Sequence, residues 1–416
     1  MTASEASTSD QQAESEQRVT ALELFFDLVF VFAITQVTGF LADNSTWQGL
    51  LQGLFLLGAL WWAWAAYAWL TNTLNPEEGV VRIAVFASMA AMLIAALAVP
   101  GAFGAHGLVF GVAYFIVRAL HLVLYAIAGR GDRELMQAVL RIAPSALTGA
   151  ALLVVAGFTD GPARLIIWAV ALSIDYLWLL VAGMRGWRVS PEHFVERHGL
   201  IIIIALGESI VAVGVGAAGL PLDAGTISAA LLGMIVACAL WWSYFDWMIY
   251  ISLARLREAT GVERAKLARD IYSYLHFPMV AGIILFALGV KTTLAHHNEP
   301  LEIIPAIGLC GGLALYMAAH VAVRLRMNGS WGHGRPTATV VLVALIPIAT
   351  LIPSLVALAL VAAVCAALIA YEALRYAYGR AWIRSRRGAF TMEEASHVAP
   401  RRRAPEPDPP TSNEPT

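Results

Sequence analysis

Apolar stretches of about 20 residues, each long enough to cross a bilayer as a helix, recur along almost the whole chain. They fall at 22–41, 47–70, 80–99, 107–128, 139–157, 163–184, 196–218, 226–250, 272–294, 302–324, 337–352 and 354–378. Only 13% of the residues are charged and 59% are hydrophobic, whereas soluble domains carry about 25% charged residues. The chain therefore reads as an all-α polytopic membrane protein of about twelve spans.

The two ends read differently. Residues 1–17 are polar and rich in Ser, Glu and Gln, and residues 388–416 pass from arginines into a Pro-rich acidic end. Neither has enough apolar surface to fold, so both are expected as unfolded tails. The first apolar segment has an acidic lead and no small-residue cleavage site, so a permanent span is expected and not a signal peptide. Orientation follows from Lys and Arg in short loops. With twelve spans, all of them except Arg164, Lys291 and Arg118 fall on the side of the two termini, and Arg118 lies inside the fourth span. Both termini are thus expected in the cytoplasm and the protein in the inner, cytoplasmic membrane. Topology accounts for the basic residues, which leaves no basis for nucleic-acid binding. Cys238, Cys310 and Cys365 lie within spans and form no CxxC pair, so they read as small core hydrophobes.

LQGLFLLGALWWAWAAYAWL at 51–70 aligns with LLGMIVACALWWSYFDWMIY at 231–250. The shared ALWW relates the second span to the eighth. Glu23 opens the first span as Glu196 opens the seventh, His121 is matched by His320, and Asp175 and Glu372 occupy the sixth span of each half. We expect two parallel six-helix repeats, 18–190 and 191–387, about an axis along the membrane normal, with a site between them.

An ionisable side chain at the centre of a membrane helix costs about 2.5–3.5 kcal/mol on insertion scales. The set to be explained is Glu23, Asp27, Arg118, His121, Asp175, Glu196, His198, Glu208, Asp246, His276, His320 and Glu372. ELFFDLVFVFAITQ, at 23–36, places Glu23 and Asp27 four apart, a spacing at which like charges repel. Glu208 lies ten residues beyond His198, roughly 15 Å deeper and near the midplane. Its setting is LGES, where Gly207 permits close packing and Ser209 can bond across helices. Arg118 stays charged, so it faces a cavity or pairs with Asp27, Asp175 or Glu208; a packing role and a substrate role are both open. SPEHFVERHGL reads as a helix start, with Ser190 as cap and Pro191 next. Its His193, Glu196 and His198 lack HExxH spacing, so no metal and no cofactor is expected. His276 is a possible proton-responsive group, and Asp246 among the aromatics of LWWSYFDW is not explained by an interfacial belt. The residues expected to bind a substrate or ion are Glu23, Asp27, Arg118, Asp175, Glu196, Glu208, Ser209, Asp246 and His276.

ELFFDLVFVFAITQ, HFVERHGLIIIIALGESIVAVG, LWWSYFD and YSYLHFPMVAGI together resemble the bacterial low-temperature-requirement protein A family, over roughly residues 18–378. The matching residues are Glu23, Phe26, Asp27, His193, Glu196, Gly207, Glu208, Ser209, Asp246, His276 and Pro278. The resemblance implies a link to cold or stress growth but no substrate or reaction. ALELFFDLVFVFAIT is more distantly similar to the first helix of a potassium-channel family with a Phe-Ser-Asp motif, although Phe26 replaces the serine. The leading expectation is a transporter-like or channel-like protein moving an ion or small solute through a cytoplasm-facing polar cavity in the lipid bilayer. An intramembrane enzyme acting on a lipid or isoprenoid substrate is a second, with His276, His198, Glu196 and Asp246 as its groups. It is the weaker one, since the chain has no nucleophile elbow, phosphate-binding Gly loop or HExxH. A structural or regulatory membrane protein is a third. The 71–82 loop, TNTLNPEEGVVR, departs from the basic motif of the major facilitator class.

Overall fold

The computed structural model describes residues 19–398. The tail expected at 1–17 and the stretch 399–416 lie outside the described residues. Among the described residues every regular element is a helix, apart from an isolated bridge between Pro300 and Pro353.

Among the described residues eleven helices are long and apolar enough to cross a membrane: α1 Ala21–Asp43, α2 Trp47–Thr71, α3 Gly79–Gly101, α4 Gly107–Ala128, α5 Arg133–Ala156, α6 Gly161–Ala182, α7 Pro191–Ala217, α8 Ala224–Glu258, α9 Gly261–Ala295, α10 Ile303–Asn328 and, after one shorter helix, α12 Ser354–Arg375. The shorter one is α11, Gly334–Ala349, of 16 residues. At 1.5 Å per residue it is about 24 Å long, less than the roughly 30 Å of a hydrocarbon core. The expected twelve full-length spans are therefore corrected to eleven. Pro347 lies in the last turn of α11, which ends at Ala349, and Pro353 is the N-cap of α12, so the two prolines bracket the break between these helices. Of the stretch expected as a carboxyl tail from residue 388, the described part holds a helix: α13 (Ala377–Arg386) is followed by α14, Met392–Val398. Ala395 of α14 is buried.

Local signals fix several starts. Thr20 and Glu23 form a reciprocal capping box at α1, Thr46 caps α2, and Asp223 accepts from Thr226 N at α8. Small residues let helices approach. A Cβ on Gly282 of α9 would lie 2.4 Å from the Gly312 carbonyl of α10, and one on Gly312 would lie 2.7 Å from the Gly282 carbonyl. The two backbones are thus in mutual contact, as small-residue membrane interfaces allow. Single π turns interrupt α8 at Tyr244–Met248, α9 at Arg269–Leu275 and α10 at Ile307–Gly311.

The connections form two layers. On one, Asn72 Nδ2 donates to Arg188 O at 3.0 Å, Arg188 pairs with Asp132 at 2.9 Å, and Arg264 reaches Val189 O. Arg257 extends the same layer to Gly388 O. On the other, Arg164 donates to Gly104 O, Leu301 N to Ala349 O and Ser354 N to Glu299 O. Within residues 19–190, α1 packs on α2 and α3, α4 on α3 and α5, and α6 on α5 and α2. Within 191–375, α7 packs on α8 and α9, α10 on α9 and α11, and α12 on α11 and α8. The two sets meet where α1 touches α7 and α9, and where Trp61 and Trp69 of α2 donate to the carbonyl and hydroxyl of Ser273 in α9, each at 2.8 Å.

Candidate functional site

Glu23 and Asp27 share one face of α1 and are fully buried, yet one guanidinium resolves their repulsion. Arg197 of α7 donates to Asp27 Oδ2 at 2.6 Å and lies 3.5 Å from Glu23 Oε1. Its Nη1 also donates to Glu23 O at 3.0 Å. His193, one turn earlier on α7, meets Glu23 Oε1 at 3.0 Å. Trp64 Nε1 of α2 donates to Asp27 Oδ1 at 2.8 Å, and Arg197 stands over the Trp64 ring. Acids at i and i+4 on α1 thus face bases at i and i+4 on α7. The sequence reading missed Arg197, which it assigned to the helix entrance; the matching four-residue spacing of His193 and Arg197 was the signal. Arg118 accordingly does not pair with Asp27.

Arg118 of α4 pairs with Asp175 of α6 through Nη2 alone, at 3.0 and 3.1 Å. Beside this pair lies a cavity of about 60 Å³ enclosed by α2, α4, α5, α6 and the α6–α7 connection. Five buried polar atoms on its lining residues have no hydrogen-bond partner among the described residues: Arg118 Nε and Nη1, His121 Nδ1, Tyr125 OH and Trp187 Nε1. Because His121 Nε2 faces the Ala66 carbonyl at 3.1 Å, that nitrogen carries the proton and Nδ1 is left as an acceptor. The set therefore offers two charged N–H donors, an indole donor, a hydroxyl and one acceptor. Such a volume holds a few waters or a small solute.

The remaining expected residues occupy separate places. Glu208 accepts from Thr35 Oγ1 of α1 at 2.6 Å, and Ser209 Oγ bonds the Leu206 carbonyl of its own helix. Glu196 is exposed, with Val19 N near its Oε2 at 3.4 Å. Asp246 sits in the π turn of α8 and pairs with Arg380 and Arg384 of α13. His276 is buried between the Ile271 carbonyl, at 2.8 Å from Nδ1, and Tyr244 OH, at 2.9 Å from Nε2. The carbonyl can only accept, so Nδ1 is protonated and Tyr244 donates to Nε2. The structure therefore brings together Glu23 with Asp27 and Arg118 with Asp175. It leaves Asp27, Arg118 and Glu208 in three different surroundings and not in one pocket. Among the described residues no three His, Cys, Asp or Glu side chains are grouped as metal ligands.

Known proteins bear on this geometry as follows. The family model of the bacterial low temperature requirement A protein matches residues 18–370. An uncharacterized protein, RA0937, of Rhizobium meliloti (strain 1021) is 30% identical over 307 residues, which are 71% of this chain and 74% of that protein. No solved structure matches. With a match over most of its length, the chain belongs to the bacterial low temperature requirement A family.

Proposed function

We propose that this chain is a transporter-like protein of the inner membrane which takes a small oxyanion, or a small solute bearing a carboxylate and a hydroxyl, into the cavity beside Arg118. The observation that carries this reading is the set of five unpartnered buried polar atoms around that cavity. A buried donor without a partner costs about 1–3 kcal/mol, so a cavity that gathers several is built for a guest. Arg118 keeps Asp175 on Nη2 and has Nε and Nη1, which point to different sides of the guanidinium, left to donate. Each can donate one charge-assisted bond to an anionic oxygen.

Two further arrangements support the reading. The cavity is closed on one side by Met184 and Trp187 of the α6–α7 connection, in the layer that holds most of the basic loops. By the distribution of Lys and Arg this layer faces the cytoplasm. The alternation of connections between two layers supports termini on the same side, with α11 acting as a thin return crossing from Arg335, beside Glu372, to Ala349, beside Leu301. The same order of helix packing in 19–190 and 191–375 supports two parallel repeats.

The test is binding and uptake with protein reconstituted in liposomes, against a panel of small carboxylates, hydroxy acids and inorganic oxyanions. Wild type is expected to bind and accumulate at least one of them, and Arg118→Gln to lose both by about 100-fold, the scale of a lost buried charged contact. A panel that leaves wild type inert, or an Arg118→Gln protein that performs as wild type, sinks the reading.

A further inference from the structure

A second and larger cavity, of about 420 Å³, lies among α8, α10, α11 and α12 in the basic layer. Four arginines line it, Arg324, Arg335, Arg375 and Arg380, against a single carboxylate, Glu372. Glu372 is shared by Arg335 at 2.9 Å and Arg380 at 2.8 Å. Behind this wall Asp246 is matched by Arg384, so the excess of positive charge persists when the second row is counted.

Arg324 and Arg375 make no ion pair with a carboxylate among the described residues. Instead they lie against aromatic faces, Arg324 at 5.7 Å from the Trp247 ring and Arg375 at 5.9 Å from the Tyr376 ring. Stacking holds a guanidinium flat and leaves its N–H edge free to bind. Arg324 Nε has no partner, and His320, which is 2% exposed, has an unpartnered Nε2 on the same wall. That nitrogen can bond a phosphate oxygen when protonated, or accept from a P–OH when neutral. A carboxylate satisfies one guanidinium fork, whereas a phosphate offers three acceptor oxygens and up to two charges to several arginines at once. Trp331, on the rim, is exposed, as suits a membrane interface.

We propose that this cavity is a binding site for a phosphate group, carried by an anionic lipid headgroup or by a soluble phosphate. It is separate from the Arg118 cavity and does not depend on that cavity's role.

The experiment uses the full chain purified in a neutral detergent. Unfolding temperature and ligand affinity are measured with phosphatidylglycerol, phosphatidylcholine and inorganic pyrophosphate as probes. Binding of phosphatidylglycerol without pyrophosphate identifies a lipid headgroup, and the reverse identifies a soluble phosphate. In either case Arg375→Gln, at an exposed position that leaves folding intact, is expected to weaken the bound probe about tenfold, and Arg324→Gln with Arg375→Gln further. Arg130→Gln, a charge loss in the same layer away from the cavity, is expected to leave it unchanged. The proposal is overturned if neither phosphatidylglycerol nor pyrophosphate binds, if phosphatidylcholine binds as well as phosphatidylglycerol, or if Arg130→Gln weakens binding as much as Arg375→Gln.

Discussion

The Glu23–Asp27–Arg197 cluster and the Arg118–Asp175 pair are both ionic and both buried, but they differ in what surrounds the charges. In the first, two carboxylates, a guanidinium, a histidine and an indole close on one another across α1, α2 and α7. In the second, a guanidinium gives its acid one nitrogen and leaves Nε and Nη1 beside a cavity; Arg197 likewise hydrogen-bonds through Nη1 and leaves Nε and Nη2 without a hydrogen-bond partner. Burial of charge therefore does not separate a scaffold from a binding site. What separates them is the space beside those unpartnered nitrogens, about 10 Å³ at Arg197 and about 60 Å³ at Arg118.

The sharpest way to break this comparison is to make the same substitution in both places. Asp27→Ala strands Arg197 in a sealed cluster, and removal of one partner of a buried pair costs about 3–5 kcal/mol. Asp175→Ala strands Arg118 next to a cavity that can admit water, and the cost should fall to about 1–2 kcal/mol, closer to the loss of a single charged hydrogen bond. Unfolding in detergent, followed by temperature or by denaturant, reads both. Equal losses would mean that the cavity gives Arg118 no relief.

An intermediate effect is expected where the cavity is filled without touching a charge. Ser145 lines it from α5 and bonds only the Ile142 carbonyl of its own helix. Ser145→Leu should shift stability by no more than about 1 kcal/mol, since it places apolar volume in existing space. Solute binding beside Arg118 should nevertheless be abolished. A Ser145→Leu protein that still binds would place the solute elsewhere.

These contrasts show what the sequence could reveal. Span lengths and apolar runs located every long helix, because a bilayer imposes a length that composition alone records. The limit of α11 was harder to read, since an apolar run continues past Ala349 and through Pro353 while the helix does not. The acids of ELFFDLVFVFAITQ announced a partner, and its identity was encoded in the equal spacing of His193 and Arg197, one helix face away from the exposed Glu196. Asp175 was among the expected partners of Arg118 for the opposite reason: a permanent cation in a membrane leaves few choices. The two cavities had no sequence signal. Each is the space left where Trp, Tyr and Arg side chains from four or more helices do not meet, and that depends on packing and not on any local pattern.

Glu208 supplies the smallest expected effect. It lies deep in α7, where its carboxylate accepts from the hydroxyl of Thr35 on α1, with Thr38 of α1 and Lys291 of α9 also acting on it. It lines neither of the two cavities described above. Glu208→Gln keeps the size of the side chain and an oxygen that can accept from Thr35, so stability should change by less than about 1 kcal/mol. Solute affinity at the Arg118 cavity should be unchanged, because no chain of polar contacts joins the two among the described residues. If the variant folds normally and still loses uptake while retaining binding, movement of the solute passes between α1 and α7. The comparison would then need a third region, one where a lightly bonded acid is kept for passage and not for holding.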